Sequence, residues 1–172
     1  MESKEINKKL DDISRTLKSL QRMLRYFLGT YSRYVGKAAE QLTASIIEKI
    51  KDLGGVKIDG DTIEPINIVS KNLRAKDYEI DLLGADKNNN IWIIETTTYP
   101  IFDEKIADKI YNRIKRWYDR NKQKPCFILF AYGGIDKGLY DMLKRKLNNI
   151  CNKVIILDKI RSRKLLSLLD KK

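Results

Sequence analysis

Ile6, Leu10, Ile13, Leu17, Leu20, Leu24 and Phe27 follow one another at steps of 4, 3, 4, 3, 4 and 3, and Tyr31 and Tyr34 continue the series. Alternating threes and fours keep one narrow apolar stripe on a helix, and no Gly or Pro interrupts it before Gly29. A straight helix drifts off a strict seven-residue repeat over such a length, so the register predicts a supercoiled helix with a partner. A helix lying on its own domain usually widens its apolar face. The stripe therefore favours self-association, with packing on the chain's own domain as the alternative. Residues 1–35 are read as a coiled-coil helix that makes a homodimer, and residues 36–172 as one domain.

The rest of the composition removes whole classes of chemistry. Histidine is absent, which excludes Ser-His-Asp and Cys-His nucleophiles, His general bases and His-ligated zinc. Cys126 and Cys151 lie 25 residues apart, without the paired spacing of a zinc site. They are expected to stay reduced. No apolar run approaches the roughly 20 residues needed to cross a bilayer, so no membrane partner is expected. The start, MESKEINKKLDD, lacks the apolar core of a signal peptide, and a cytoplasmic location is the expectation. Carboxylates, lysines, hydroxyls and a hard metal ion are what remain.

Lys and Arg total 35 against 23 acids, a net charge of +12. Residues 1–35 carry 8 basic and 4 acidic side chains, residues 36–99 carry 8 and 11, and residues 100–172 carry 19 and 8. An acidic centre between basic flanks suggests a phosphate-binding frame around a cation-binding centre. A lysine-rich solvated surface is the plainer alternative.

From Gly36 the pattern becomes that of an ordinary amphipathic helix, closed by Gly54-Gly55. Strand-like runs follow at 62–69, 78–85 and 91–98. Then come a helix at 103–121, a buried strand at 125–132, a helix at 136–149, a short strand at 154–157 and a helix at 159–170. Antiparallel strands first and crossovers later give an α/β fold, a mixed β-sheet flanked by helices.

In the second strand run Ile80 and Leu82 should share one face, with Glu79 and Asp81 on the other. The third run is apolar until Glu95. If Lys87-Asn88-Asn89 is the hairpin loop, Asp86 faces Asn90 and Asp81 faces Glu95. Facing carboxylates repel, and a Mg²⁺ or Mn²⁺ ion would turn that repulsion into coordination. Two surface acids on a hairpin are the alternative.

The order of elements adds to this. A helix bearing Gly36 and Glu40, a strand bearing Glu79-Ile80-Asp81, a hairpin, and a strand bearing Ile93-Ile94-Glu95-Thr96-Thr97 resembles the PD-(D/E)XK nuclease superfamily, the restriction-endonuclease-like fold. The likeness covers roughly residues 36–157 and reads most like archaeal and resolvase-type members. It implies that Asp81 and Glu95 bind the metal, with the Thr96 carbonyl as a further ligand and Glu40 as the additional helix carboxylate. One position departs. The family's lysine, two residues after the Glu, is Thr97, which supplies no positive charge for a developing phosphorane. Either a lysine reaches in from elsewhere, with Lys37, Lys105 and Lys109 as candidates, or the site binds nucleic acid without cutting it.

On the helix at 103–121, Ile106, Ile110, Ile114 and Trp117 form a core stripe. Lys105, Lys109, Arg113, Arg116 and Arg120 form a second one. Five like charges in a row favour an anionic partner, expected to be duplex or branched DNA, held by its phosphates. Lys144-Arg145-Lys146 and Arg161-Ser162-Arg163-Lys164 are assigned to the same flank. The resulting expectation is a divalent-metal-dependent DNA endonuclease, resolvase-like and structure-selective, with Glu40, Asp81, Glu95 and Thr97 at its centre. A catalytically silent DNA-binding dimer and a coiled-coil protein adaptor are the alternatives.

Overall fold

The computed structural model describes residues 2–171; the side chains of residues 2–8, 10, 25, 27 and 28, among them Ile6, Leu10 and Phe27 of the apolar series, lie outside the described residues. The chain divides into two compact units, Met1–Lys37 and Ala38–Lys172. Helix α1 runs over Glu2–Asp52, so the helix continues where the apolar pattern changes at Gly36. In the first unit Ile13, Leu17, Leu20 and Leu24 are all exposed. No described helix is long and apolar enough to cross a membrane.

In the second unit the end of α1 buries Ala39, Thr43, Ala44, Ile46, Ile47 and Ile50. Gly54 and Gly55, at φ 75° and 104°, stop the helix, and the Gly55 N–H donates to the Ile50 carbonyl at 2.9 Å. Strands β1 (Val56–Ile58) and β2 (Asp61–Ile63) then form a separate two-stranded hairpin. Its turn is Asp59-Gly60, with positive φ at both residues, the backbone that a two-residue hairpin loop requires. This corrects the expectation of one strand at 62–69. Thr62 and Ile63 end β2, Pro65 has no N–H for a ladder, and β3 (Asn67–Arg74) begins after it.

The main sheet has the order β3-β4-β5-β6-β7, with β4 at Glu79–Ala85, β5 at Ile91–Thr97, β6 at Cys126–Ala131 and β7 at Lys153–Leu157. Pairing is antiparallel through β3, β4 and β5 and parallel through β5, β6 and β7. The crossovers are α2 (Glu104–Asn121) and α3 (Lys137–Asn148), and α4 (Lys159–Asp170) closes the chain. One core layer joins Ile47 and Ile50 of α1 and Leu165 of α4 to Leu82, Trp92, Ile94 and Ile128. The other joins Ile110, Ile114 and Trp117 of α2 and Leu143 of α3 to Ile80, Ile93, Phe127 and Leu129. The fold is α/β, a mixed sheet between helical layers, as the element order implied. Trp117 is a core residue, only 5% exposed.

Candidate active site

The site begins with the turn that sets the register of its strands. Asp86 Oδ1 accepts the N–H groups of Asn88 and Asn90 at 2.8 and 3.1 Å, and Oδ2 accepts Asn90 Nδ2 and Trp92 Nε1 at 2.9 and 3.0 Å. Burial would raise this carboxyl, but the four hydrogen bonds hold its pKa below the ordinary value. Asn89 takes the positive φ of 60° that the loop needs. The ladder then pairs Ala85 with Ile91, Gly84 with Trp92, Leu83 with Ile93 and Leu82 with Ile94. Continued by one residue, that register sets Asp81 opposite Glu95.

The regular ladder ends there, and the reason is Asp81 itself. Its Oδ2 accepts the Thr96 N–H at 2.7 Å, so a side chain takes the place of a main-chain bond. Alternation slips at the same point: Leu82 belongs to the layer under α1, whereas Ile80 belongs to the layer under α2. The expectation that Ile80 and Leu82 share a face is thereby corrected. With the local slip, Asp81 and Glu95 are both buried, at 9% and 3% exposure.

Burial first, and the Asp81 charge second, push the Glu95 carboxyl up to about 8, against the opposing pull of Arg113. Burial also raises Asp81, with the Thr96 hydrogen bond and Arg113 opposing. Arg113 Nη1 donates to Glu95 Oε2 in an ion pair, while Glu95 Oε1 is buried with no hydrogen-bond partner. An orphaned carboxylate oxygen beside a second carboxylate fits a Mg²⁺-type ion, which takes one or two carboxylates and fills its shell with water or phosphate. The described residues contain no group of three or more His, Cys, Asp and Glu side chains suited to holding a metal.

A cavity of about 160 Å³ opens beside Glu95, lined also by Thr97, Ile106, Lys109 and Arg113. Lys109 and Arg113 form part of the wall of a second hollow, with Tyr78, Glu79 and Arg116, and Arg116 of a third, with Lys76, Asp77 and Arg120. Four cations of α2, Lys109, Arg113, Arg116 and Arg120, thus line three hollows, the first of them beside Glu95. Asp103 positions the helix that carries these cations, its carboxylate accepting the Lys105 N–H at 2.8 Å as the N-cap.

Of the residues singled out from sequence, Asp81, Glu95, Thr97, Lys109 and Arg113 are brought to one end of the sheet. Glu40 is half-buried on α1, Lys37 and Lys105 are exposed, and Thr97 Oγ1 donates to the Tyr99 carbonyl at 3.3 Å. Arg116 Nη1 donates to the Asp77 carbonyl at 3.2 Å, and Arg120 lies over the Tyr78 ring. Sequence reasoning missed Arg113 as the cation on Glu95. It also missed the buried hydroxyl chain in which Thr96 Oγ1 donates to Thr43 Oγ1 and Thr43 meets the Tyr132 hydroxyl, each at 3.0 Å, tying α1 to the strand of Glu95. Two assignments to the phosphate flank are corrected in part. Arg161 is a brace, bonded to Asp61 and to the Ile58 and Ile156 carbonyls, and Lys146 and Lys164 pair with Asp108 and Asp59.

No protein-family model matches the sequence, and no curated protein matches it. Among solved structures the chain is similar to a repair endonuclease from Pyrococcus abyssi, at 14% identity and a TM-score of 0.42 over 53% of this chain and 37% of that one. It is similar to EndoMS in a complex with double-stranded DNA, at 13% identity and a TM-score of 0.47 over 71% and 44%. The third is Pyrococcus furiosus SfsA in complex with Ca²⁺, at 16% identity and a TM-score of 0.38 over 73% and 55%. The chain thus matches between 37% and 55% of the length of these proteins.

Proposed function

We propose that this chain is a divalent-metal-dependent DNA nuclease that works as a homodimer. The observation that carries the reading is the buried, unpartnered Oε1 of Glu95 next to Asp81, with Lys109, Arg113, Arg116 and Arg120 lining the cavity beside it and two further hollows. Asp81 and Glu95 would hold the ion, which would supply an activated water and charge neutralisation at phosphorus. The chain's own residues do the rest. Thr96 fixes the Asp81 carboxylate through its N–H, and the exposed cations of α2 orient the phosphate backbone. Lys109 and Arg113 provide the positive charge that Thr97 lacks. Glu40 would serve as the accessory helix carboxylate.

The Arg113–Glu95 ion pair and the hydroxyl at Thr97 favour a second reading, in which the same surface binds DNA without cutting it. Incubation with plasmid and branched DNA, in Mn²⁺ or in EDTA, separates the two. Cleavage in Mn²⁺ alone supports the nuclease, and a salt-sensitive complex without cleavage supports the silent binder.

Two further results are expected. DNA affinity should fall steeply with salt, and replacing Lys109 and Arg116 together by Ala should shallow the log–log slope by about two units, at about 0.9 per phosphate contact. An unchanged slope would place the DNA elsewhere. For the dimer, Leu17→Asp puts a charge into the exposed 4-3 stripe and should give monomers in sedimentation at tens of micromolar. A wild-type chain that is itself monomeric there would remove the dimer.

A further inference from the structure

The segment between β5 and α2 carries two aromatic rings that the proposed chemistry does not use: Tyr99 is 58% exposed and Phe102 is 73% exposed. Their backbone is tightly held. Ile101 between them is fully buried, its N–H donates to the Gly134 carbonyl and its carbonyl accepts the Asp136 N–H, both at 2.9 Å. The Tyr99 carbonyl accepts the Thr97 hydroxyl, and Asp103 caps α2. Gly133 passes so close that a Cβ there would come within 2.5 Å of the Thr98 carbonyl oxygen. Neither ring enters a ring–ring or cation–π contact among the described residues.

Place and chemistry narrow the partner. The segment joins Thr97, on one wall of the carboxylate cavity, to Ile106 and Lys109 on another. Exposed rings on a fixed loop that leads into the basic helix match the two halves of a nucleotide, a flat base and a phosphate. A base in a continuous duplex has both faces covered by its neighbours and offers only edges. Stacking on a side chain needs a base that is unpaired or splayed out. Each such contact is worth about 1–3 kcal/mol.

We propose that Tyr99 and Phe102 form a stacking platform for an unpaired base, so that the protein prefers single-stranded or forked DNA to continuous duplex. The proposal rests on the reading of the adjoining cavity as a phosphodiester site, and it gives that site its substrate class. Phosphate contacts along α2 hold either form, and the platform discriminates between them.

The test is binding in EDTA, so that cleavage plays no part. Fluorescence anisotropy compares a forked with a blunt duplex of equal length, and a 2-aminopurine at the fork reports stacking. Wild type should bind the fork more tightly and quench the 2-aminopurine. Phe102→Ala and Tyr99→Ala should each weaken the fork complex about tenfold, leave the blunt complex unchanged and relieve the quenching, while Phe102→Trp should restore wild-type behaviour. Equal wild-type affinity for both substrates, no quenching, or equal losses on both substrates in the alanine variants would overturn the platform. A protein that cuts DNA in Mn²⁺ without any fork preference refutes the platform and keeps the nuclease. Fork preference that the alanine variants lose, without cleavage, does the reverse.

Discussion

Alanine at Asp81 or at Glu95 is expected to reduce Mn²⁺-dependent DNA cleavage to background and to erase the rise in melting temperature that Mn²⁺ gives the wild type. A ligand that binds only the folded state stabilises it by RT ln(1 + [L]/Kd), about 2.7 kcal/mol at a hundred times Kd. Either substitution removes one of the two buried carboxylates, so that gain should vanish. Lys109→Ala keeps both carboxylates and should lose cleavage while retaining the Mn²⁺ shift. Plasmid nicking and thermal melts with and without Mn²⁺ measure all of this. A wild type without a Mn²⁺ shift, together with variants that melt far earlier, would make the pair structural and end the nuclease reading.

The second large effect is on the pH dependence of the metal-free protein. Glu95 is held at about 8 in the folded chain, against 4.5 for an ordinary Glu. Between those values the unfolded chain has released the proton and the folded chain still holds it. Stability must therefore fall as pH rises through that window. The contribution is complete below pH 4.5 and gone above about 8; Asp81, also raised by burial, acts in the same direction. Glu95→Gln keeps the shape and an acceptor for Arg113 but has no proton to lose. It should flatten the profile and exceed the wild type above pH 8 by a few kcal/mol, at about 1.4 kcal/mol per pKa unit as an upper bound. Urea unfolding at pH 5 and pH 8.5 compares the two. A wild-type stability that rises over this window would show that Arg113 fully balances an ionised Glu95.

What the sequence made legible was local. The acid, the three asparagines and the indole that set the β4–β5 turn all lie within seven residues, so the register from Ala85 opposite Ile91 to Leu82 opposite Ile94 follows from counting along the hairpin. The basic row of α2 follows from helical spacing alone. The β1–β2 hairpin was missed: Asp59-Gly60 is a strong turn signal, but the strand-like run at 62–69 reads as one longer strand. Arg113 on Glu95 was not legible, since it depends on how α2 settles against β5 eighteen residues back. Nor was Arg161, which reads as one of a basic string yet has a side chain only 13% exposed, its charge spent on Asp61 and Asp59. The slip at Asp81 also escaped, because strand periodicity assumes that main-chain bonds run unbroken.

The β4–β5 turn has a consequence for the order in which the molecule assembles. These strands are joined by a tight loop, whereas β6 and β7 reach the sheet only across α2 and α3. Pairing between sequence neighbours costs little loop-closure entropy and is fast, and the long-range parallel pairings are slow. The two carboxylates therefore meet while water still screens them, and they lose that water only when α2 docks. The electrostatic cost of the site falls on the docking of α2, the helix that carries the basic row. A local opening of that helix would return Asp81 and Glu95 to solvent.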